Sequence, residues 1–161
     1  MTSSRKGNEG LKIAFLTRVV RKECRHLVST DQRLFDVPFG ADRAASLETD
    51  LELAERVEAF VGRFGRLQDT IGDKLLPLLL AALGETPGAA IDNLDRAERL
   101  GWFESADEWL VMRQVRNQMV HEYVEDLTVL VSALQTAHGF VPILVAAANK
   151  LTAEVEQRGW A

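Results

Sequence analysis

The sequence predicts an all-α fold, an antiparallel bundle of about four or five helices, and three observations carry that reading. Apolar residues recur at spacings of three and four along three long stretches, which is the period of one helix face. No stretch alternates apolar and polar residues long enough to make a strand. At 161 residues and 47% apolar composition, the chain has the size and the apolar content of one domain with a real core.

The first helix follows from Ile13, Leu16, Val20, Cys24 and Leu27, which share one face. Residues 1–10, MTSSRKGNEG, are polar and are expected to form a disordered tail, leaving 11–161 as a single domain. Asp36-Val37-Pro38-Phe39-Gly40 reads as a loop, because Pro38 pushes Val37 out of the helical region. Leu53, Val57, Phe60, Phe64, Leu67 and Ile71 then form a seam of period 3.5, the mark of a long helix packed lengthwise on others. Pro77 has no N–H to donate, so this helix is expected to run from about 51 to 83 with a kink, in preference to a break near Gly72.

Gly84-Glu85-Thr86-Pro87-Gly88 is a loop, and 90–100 is a short helix closed by Gly101. Ser105 and Glu108 make a capping box, so a helix should start at Ala106 and run past Arg116. The last helix has Asp126 as its N-cap and Gly159 as its stop, and Pro142 is expected to bend it. Its face is Leu127, Leu130, Leu134, Ala137, Val141, Leu144, Ala148, Leu151 and Val155.

Composition narrows the function. The longest apolar runs, 75–83 and 140–148, are nine residues each and contain proline. A bilayer crossing takes about 20 residues, so no membrane span is expected. The N-terminus lacks the apolar core of a secretory signal, and the expected location is cytoplasmic. A single cysteine, Cys24, excludes an internal disulfide and a Cys-type zinc site. Neither metal nor cofactor is called for. The net charge of −5 disfavours duplex DNA as a partner. Yet 14 of the 19 basic residues are Arg, the side chain suited to bidentate phosphate recognition.

Chemistry concentrates in Val115-Arg116-Asn117-Gln118-Met119-Val120-His121-Glu122-Tyr123, just before the turn into the last helix. Asn117 and His121 share a face, whereas Arg116 lies about 140° around from His121. A second copy of the helix across a two-fold axis would place two Arg116 and two His121 in one cleft. Histidine moves a proton near neutral pH, and arginine stabilises charge developing on a phosphate. That combination suits RNA cleavage by the substrate's own 2′-hydroxyl.

The spacing R-x4-H alone is weak, with roughly 0.3 chance matches in such a composition, and Arg21–His26 repeats it. That pair reads as a solvated helix face. With Tyr123 added, the pattern is expected at roughly 0.002.

Arg116-Asn117-(x3)-His121-x-Tyr123 between two helices of an all-α domain resembles the HEPN superfamily, in particular its HepT-type toxins. The diagnostic match covers eight residues, and a weaker likeness of helix order extends over 50–159. The resemblance implies a homodimeric, metal-independent endoribonuclease with Arg116 and His121 as the catalytic pair and Asn117 as the polar residue after the Arg. It also implies a toxin restrained by a nucleotidyltransferase antitoxin, which transfers AMP to Tyr123. The alternative is a non-catalytic nucleotide- or nucleic-acid-binding helical module that docks onto a nucleotidyltransferase.

Other residues have sharp and plain readings side by side. Asp69 either orients an active-site Arg or pairs with Arg66 three residues away. Arg63, Arg66 and Arg113 are candidate phosphate or RNA contacts. For Arg113 and Arg116 the plain reading is ion pairing with Asp107, Glu108 or Glu122. Gly62 and Gly65 are expected to permit close approach to the long helix. Trp102, Phe103 and Trp109 read as core or dimer contacts.

Overall fold

The computed structural model describes residues 2–122 and 125–160. It is all-helical, with no strand among those residues. Helix α1 spans Thr2–Leu34, α2 Ala41–Ala45 and α3 Leu51–Asp69. A π-helical turn over Thr70–Leu75 joins α3 to α4, Leu76–Ala82. Helices α5 (Ala90–Arg99), α6 (Ala106–Glu122) and α7 (Leu127–Gln157) follow. Two features differ from expectation. Helix α1 already runs through residues 2–10, because each residue added to an existing helix gains a hydrogen bond without a new nucleation step. The loop after Pro38 is followed by α2 and a short 3₁₀ turn, Ser46–Glu48, too brief for a periodic pattern to reveal.

Side-chain pairs between helices set the topology. Thr30 accepts from Arg63 and Thr70 donates to Glu23, so α1 and α3 run antiparallel. Gly65 faces Arg116 and Gly72 faces Trp109, so α3 and α6 do the same. Arg21 pairs with Glu156 and Asp31 with His138, which makes α1 and α7 antiparallel. With α6 and α7 also packed together, the four long helices close an up-down-up-down ring. Helix α5 covers the end formed by α4 and α6.

The apolar seams meet along the axis of this ring. Val57, Phe60, Phe64, Leu67 and Ile71 are fully buried, as are Val20 and Leu27 from α1 and Leu134, Leu144 and Leu151 from α7. Leu127, the first residue of the α7 series, is 40% exposed at the capped N-terminus of the helix. By length and composition α7 is apolar enough to cross a membrane, although the uninterrupted apolar runs within it are short. Its buried residues form part of the bundle core.

Helix ends follow the local chemistry. Asp126 accepts from the backbone N–H groups of Thr128 and Val129, and the Ser105 hydroxyl accepts from that of Glu108. Gly84, Gly101 and Gly159 are the residues with positive φ among those described. At Gly101, the Trp102 N–H donates to the Ala97 carbonyl and the Gly101 N–H to that of Glu98, a Schellman ending.

Near Pro77 the helix does not break; a π-turn carries α3 into α4. The Leu76 N–H reaches back to the Ile71 carbonyl, five residues away. This wider turn relieves the clash between the Pro77 ring and the carbonyl four residues before it. Helix α7, in contrast, continues unbroken through Pro142.

Candidate functional site

Helix α6 buries Met112, Val115 and Met119 against its neighbours. That fixes the directions of its polar residues. Arg113 and Arg116, one turn apart, point toward α3 and are partly buried, whereas Asn117 and His121 are exposed. The turn of α6 that carries His121 is the last before the connection to α7, beside the exposed Val120.

Arg116 is the best-held of these side chains. Its guanidinium donates to the Asp69 carboxylate, and about a third of each side chain is exposed. Its stem lies across Gly65, where a Cβ would come within 2.9 Å of Nε. Four residues after Asp69, within the π-turn, Asp73 accepts from Arg113 at 3.0 Å. The two arginines of α6 thus meet two carboxylates of the facing helix, rather than Asp107 or Glu108 of their own. Asp69 pairs with Arg116 and not with its neighbour Arg66.

The packing below this ladder is tight. Trp109 is buried between Phe103, whose ring stacks on it at 4.6 Å, and Gly72, where a Cβ would lie 3.2 Å from Nε1. Gln68 Nε2 donates to the Trp109 carbonyl at 3.3 Å. Gln68 Oε1 and Trp109 Nε1 are buried without hydrogen-bond partners among the described residues. Trp102, Phe103 and Trp109, all buried, also line a cavity of about 480 Å³ between α6 and α7, with Glu104, Glu108 and Lys150 among its other residues. The fold therefore places these aromatics at the α5–α6 junction.

Arg63 and Arg66 do not join the Arg116 ladder. Arg63 reaches across to α1 and donates to the Thr30 hydroxyl and, at 3.4 Å, to the His26 carbonyl. Arg66 lies beside it and, with Lys22, Glu23 and His26, lines a hollow of about 420 Å³. Burial pushes the Glu23 carboxyl above the usual range, against the Thr70 hydrogen bond and the nearby Arg66 and Lys74 charges. The histidine of the second R-x4-H spacing, His26, sits on this side of the molecule, while Arg21 pairs with Glu156. Tyr123 lies outside the described residues.

Sequence reasoning missed His138, whose Nδ1 is 2.6 Å from Asp31 and whose ring stacks on Phe35 at 4.1 Å. No spacing signals such a pair, because its members are 107 residues apart. No group of three or more His, Cys, Asp or Glu among the described residues is placed to hold a metal ion. Comparisons with family models, with curated proteins and with solved structures give no match.

Proposed function

We propose that this chain is a metal-independent endoribonuclease of the HEPN type, a toxin whose site is completed by a second copy of α6 across a homodimer axis. The observation that carries the reading is the Arg116-Asn117-(x3)-His121-x-Tyr123 pattern at the end of a capped helix, with Arg116 held by Asp69. Asp69 on the facing helix and Gly65 against the side chain together hold the Arg116 guanidinium in one place. A site that acts through a guanidinium gains from such a fixed position.

The chemistry requires little else. The 2′-oxygen of the RNA attacks the adjacent phosphorus and the bond to the 5′-oxygen breaks, leaving a 2′,3′-cyclic phosphate. One His121 imidazole takes the 2′-hydroxyl proton, and the partner's His121 supplies the proton that the departing 5′-oxygen gains. Arg116 stabilises the charge on the non-bridging oxygens. Asp69 is a positioning residue, and Asn117, one turn from His121 on the same face, is a polar contact beside it. Arg113, tied to Asp73, supports the ladder. In this reading the protein works in the cytoplasm, and a cognate nucleotidyltransferase silences it by attaching AMP to Tyr123.

A second reading is favoured by the same pair. Asp69 already neutralises Arg116 inside the fold, which suits a non-catalytic nucleic-acid-binding module docked on a nucleotidyltransferase. Cleavage of cellular RNA in EDTA separates the two. The enzyme is expected to lose activity by about 100-fold or more in Arg116→Ala and in His121→Ala. Asp69→Asn is expected to be impaired less while still folded. Absence of cleavage by wild-type dimer would favour the module. Full activity in folded Asp69→Asn would remove the positioning role.

A further inference from the structure

Charge is unevenly divided along the chain. Within α1, eight Lys and Arg stand against three acidic residues, a net of +5, so the remainder carries −10. Two of the basic residues of α1, Lys22 and Arg33, meet Arg56, Arg63 and Arg66 of α3 in the groove between the two helices. Two adjoining hollows of about 420 and 300 Å³ share Arg63 and are bordered by Lys22, His26, Arg33, Arg56 and Arg66. From Arg56 to Arg66 the α3 side of the groove extends about 15 Å at the rise of an α-helix.

Pairing distinguishes these cations from the arginines of α6. Arg113 and Arg116 are each tied to an aspartate. Lys22, Arg33 and Arg66 make no side-chain hydrogen bond or ion pair among the described residues, and the Arg56–Glu52 contact is stretched to 4.0 Å. The acidic groups in the groove are Glu23, Glu52 and Glu55, of which Glu23 accepts from Thr70. Fixed charge in the groove is therefore +5 from Lys and Arg against −3, positive on a chain that is negative overall.

An aromatic side chain extends the pattern. Phe15, Val19, Lys22 and His26 recur at four, three and four on one face of α1, and Phe15 is 55% exposed. Unpaired cations along a groove with exposed ring surface at its end are what a flexible nucleic-acid strand uses, phosphates on the cations and bases on the rings. An acidic peptide would use the cations alone.

We propose that the α1–α3 groove is a binding track for the phosphodiester backbone of single-stranded RNA, separate from the Arg116 ladder. The choice of RNA rests on the ribonuclease reading; the charge and its lack of partners do not. Arg63 is unsuitable as the first variant because it also ties α3 to α1. Lys22→Glu/Arg66→Glu reverses two groove charges that bond to nothing else described. Arg99→Glu/Lys150→Glu, away from the groove, makes the same change in net charge.

The experiment is a fluorescence-anisotropy titration of a labelled single-stranded RNA in EDTA, with His121→Ala as the common background. The groove variant is expected to bind at least about tenfold more weakly than the background. Its log–log salt slope should be shallower by about 0.7 for each lost phosphate contact. The control variant should bind nearly as the background does. Equal weakening in both variants, unchanged binding in the groove variant, or no RNA binding by any form would overturn the track. So would competition by polyglutamate as effective as by unlabelled RNA, which would assign the groove to an acidic protein segment. The two proposals fail separately. Groove-dependent binding without cleavage by the wild type sinks the ribonuclease and keeps the track, whereas cleavage indifferent to the groove variant does the reverse.

Discussion

Gly65→Ala isolates the contact on which the site depends. In an ordinary helix interior, replacing glycine with alanine stabilises by about 0.5–1 kcal/mol, because the unfolded chain loses freedom. Gly62 is such a position, since a Cβ there meets only the Arg66 guanidinium at 3.7 Å. At Gly65 the same Cβ lies 2.9 Å from Arg116 Nε, 3.3 Å from Cζ and 3.4 Å from Cδ. Nε and Cζ belong to the guanidinium that pairs with Asp69, and Cδ is the last carbon of the stem, so the Cβ pushes the paired group itself and the Asp69 contact opens. With both partners about a third exposed, that pair contributes at most about 1 kcal/mol, and the displaced stem loses its packing as well.

Gly62→Ala should therefore be more stable than Gly65→Ala by about 1–2 kcal/mol, or roughly 2–8 °C in Tm for a domain of this size. Thermal unfolding by circular dichroism measures it. In an Arg116→Ala background the difference should vanish, because the obstructing stem is gone. Gly65→Ala stabilising as much as Gly62→Ala, or keeping its penalty without Arg116, would refute the Gly65–Arg116 contact as the cause.

Three further outcomes follow from particular environments. Gly72→Ala drives a Cβ to 3.2 Å from Trp109, which is boxed in by Phe103 and cannot yield, so overpacking should cost about 1–3 kcal/mol in denaturant unfolding. Glu23 has its folded pKa raised by burial, so its contribution to stability is present below the unfolded pKa and is lost as pH rises through the folded value. The Tm of Glu23→Gln relative to wild type should accordingly climb from acid toward neutral pH; a flat difference would contradict it. Burial pushes the Cys24 thiol up to about 11, with the Glu23 charge adding to the effect. Alkylation at mildly alkaline pH should thus be far slower in the native protein than after denaturation, followed by intact mass.

The bundle was legible because its seams are long and nearly unbroken. Every member of the α3 series from Leu53 to Ile71 is buried, and the Ser105 and Asp126 caps form where their side chains imply. Periodicity marks which face is buried but not which helix it meets, nor in what register. Asp69 accordingly had two plausible partners, Arg66 by sequence and Arg116 by tertiary contact, and the antiparallel register of α3 and α6 selects Arg116. That register also turns Arg63 and Arg66 toward α1. The π-turn was hidden for another reason. Pro77 announces a disturbance, but a kink, a break and one wide turn all satisfy a proline. Helix α2, five residues long, leaves no periodic trace at all.

The central claim is the Arg116–His121 ribonuclease, and the chemistry of the cut ends tests it most directly. Cellular RNA incubated with wild-type protein in EDTA should yield fragments ending in 2′,3′-cyclic phosphate, and neither Arg116→Ala nor His121→Ala should produce them. Fragments with 3′-hydroxyl ends, or the same cyclic ends from His121→Ala, would contradict it.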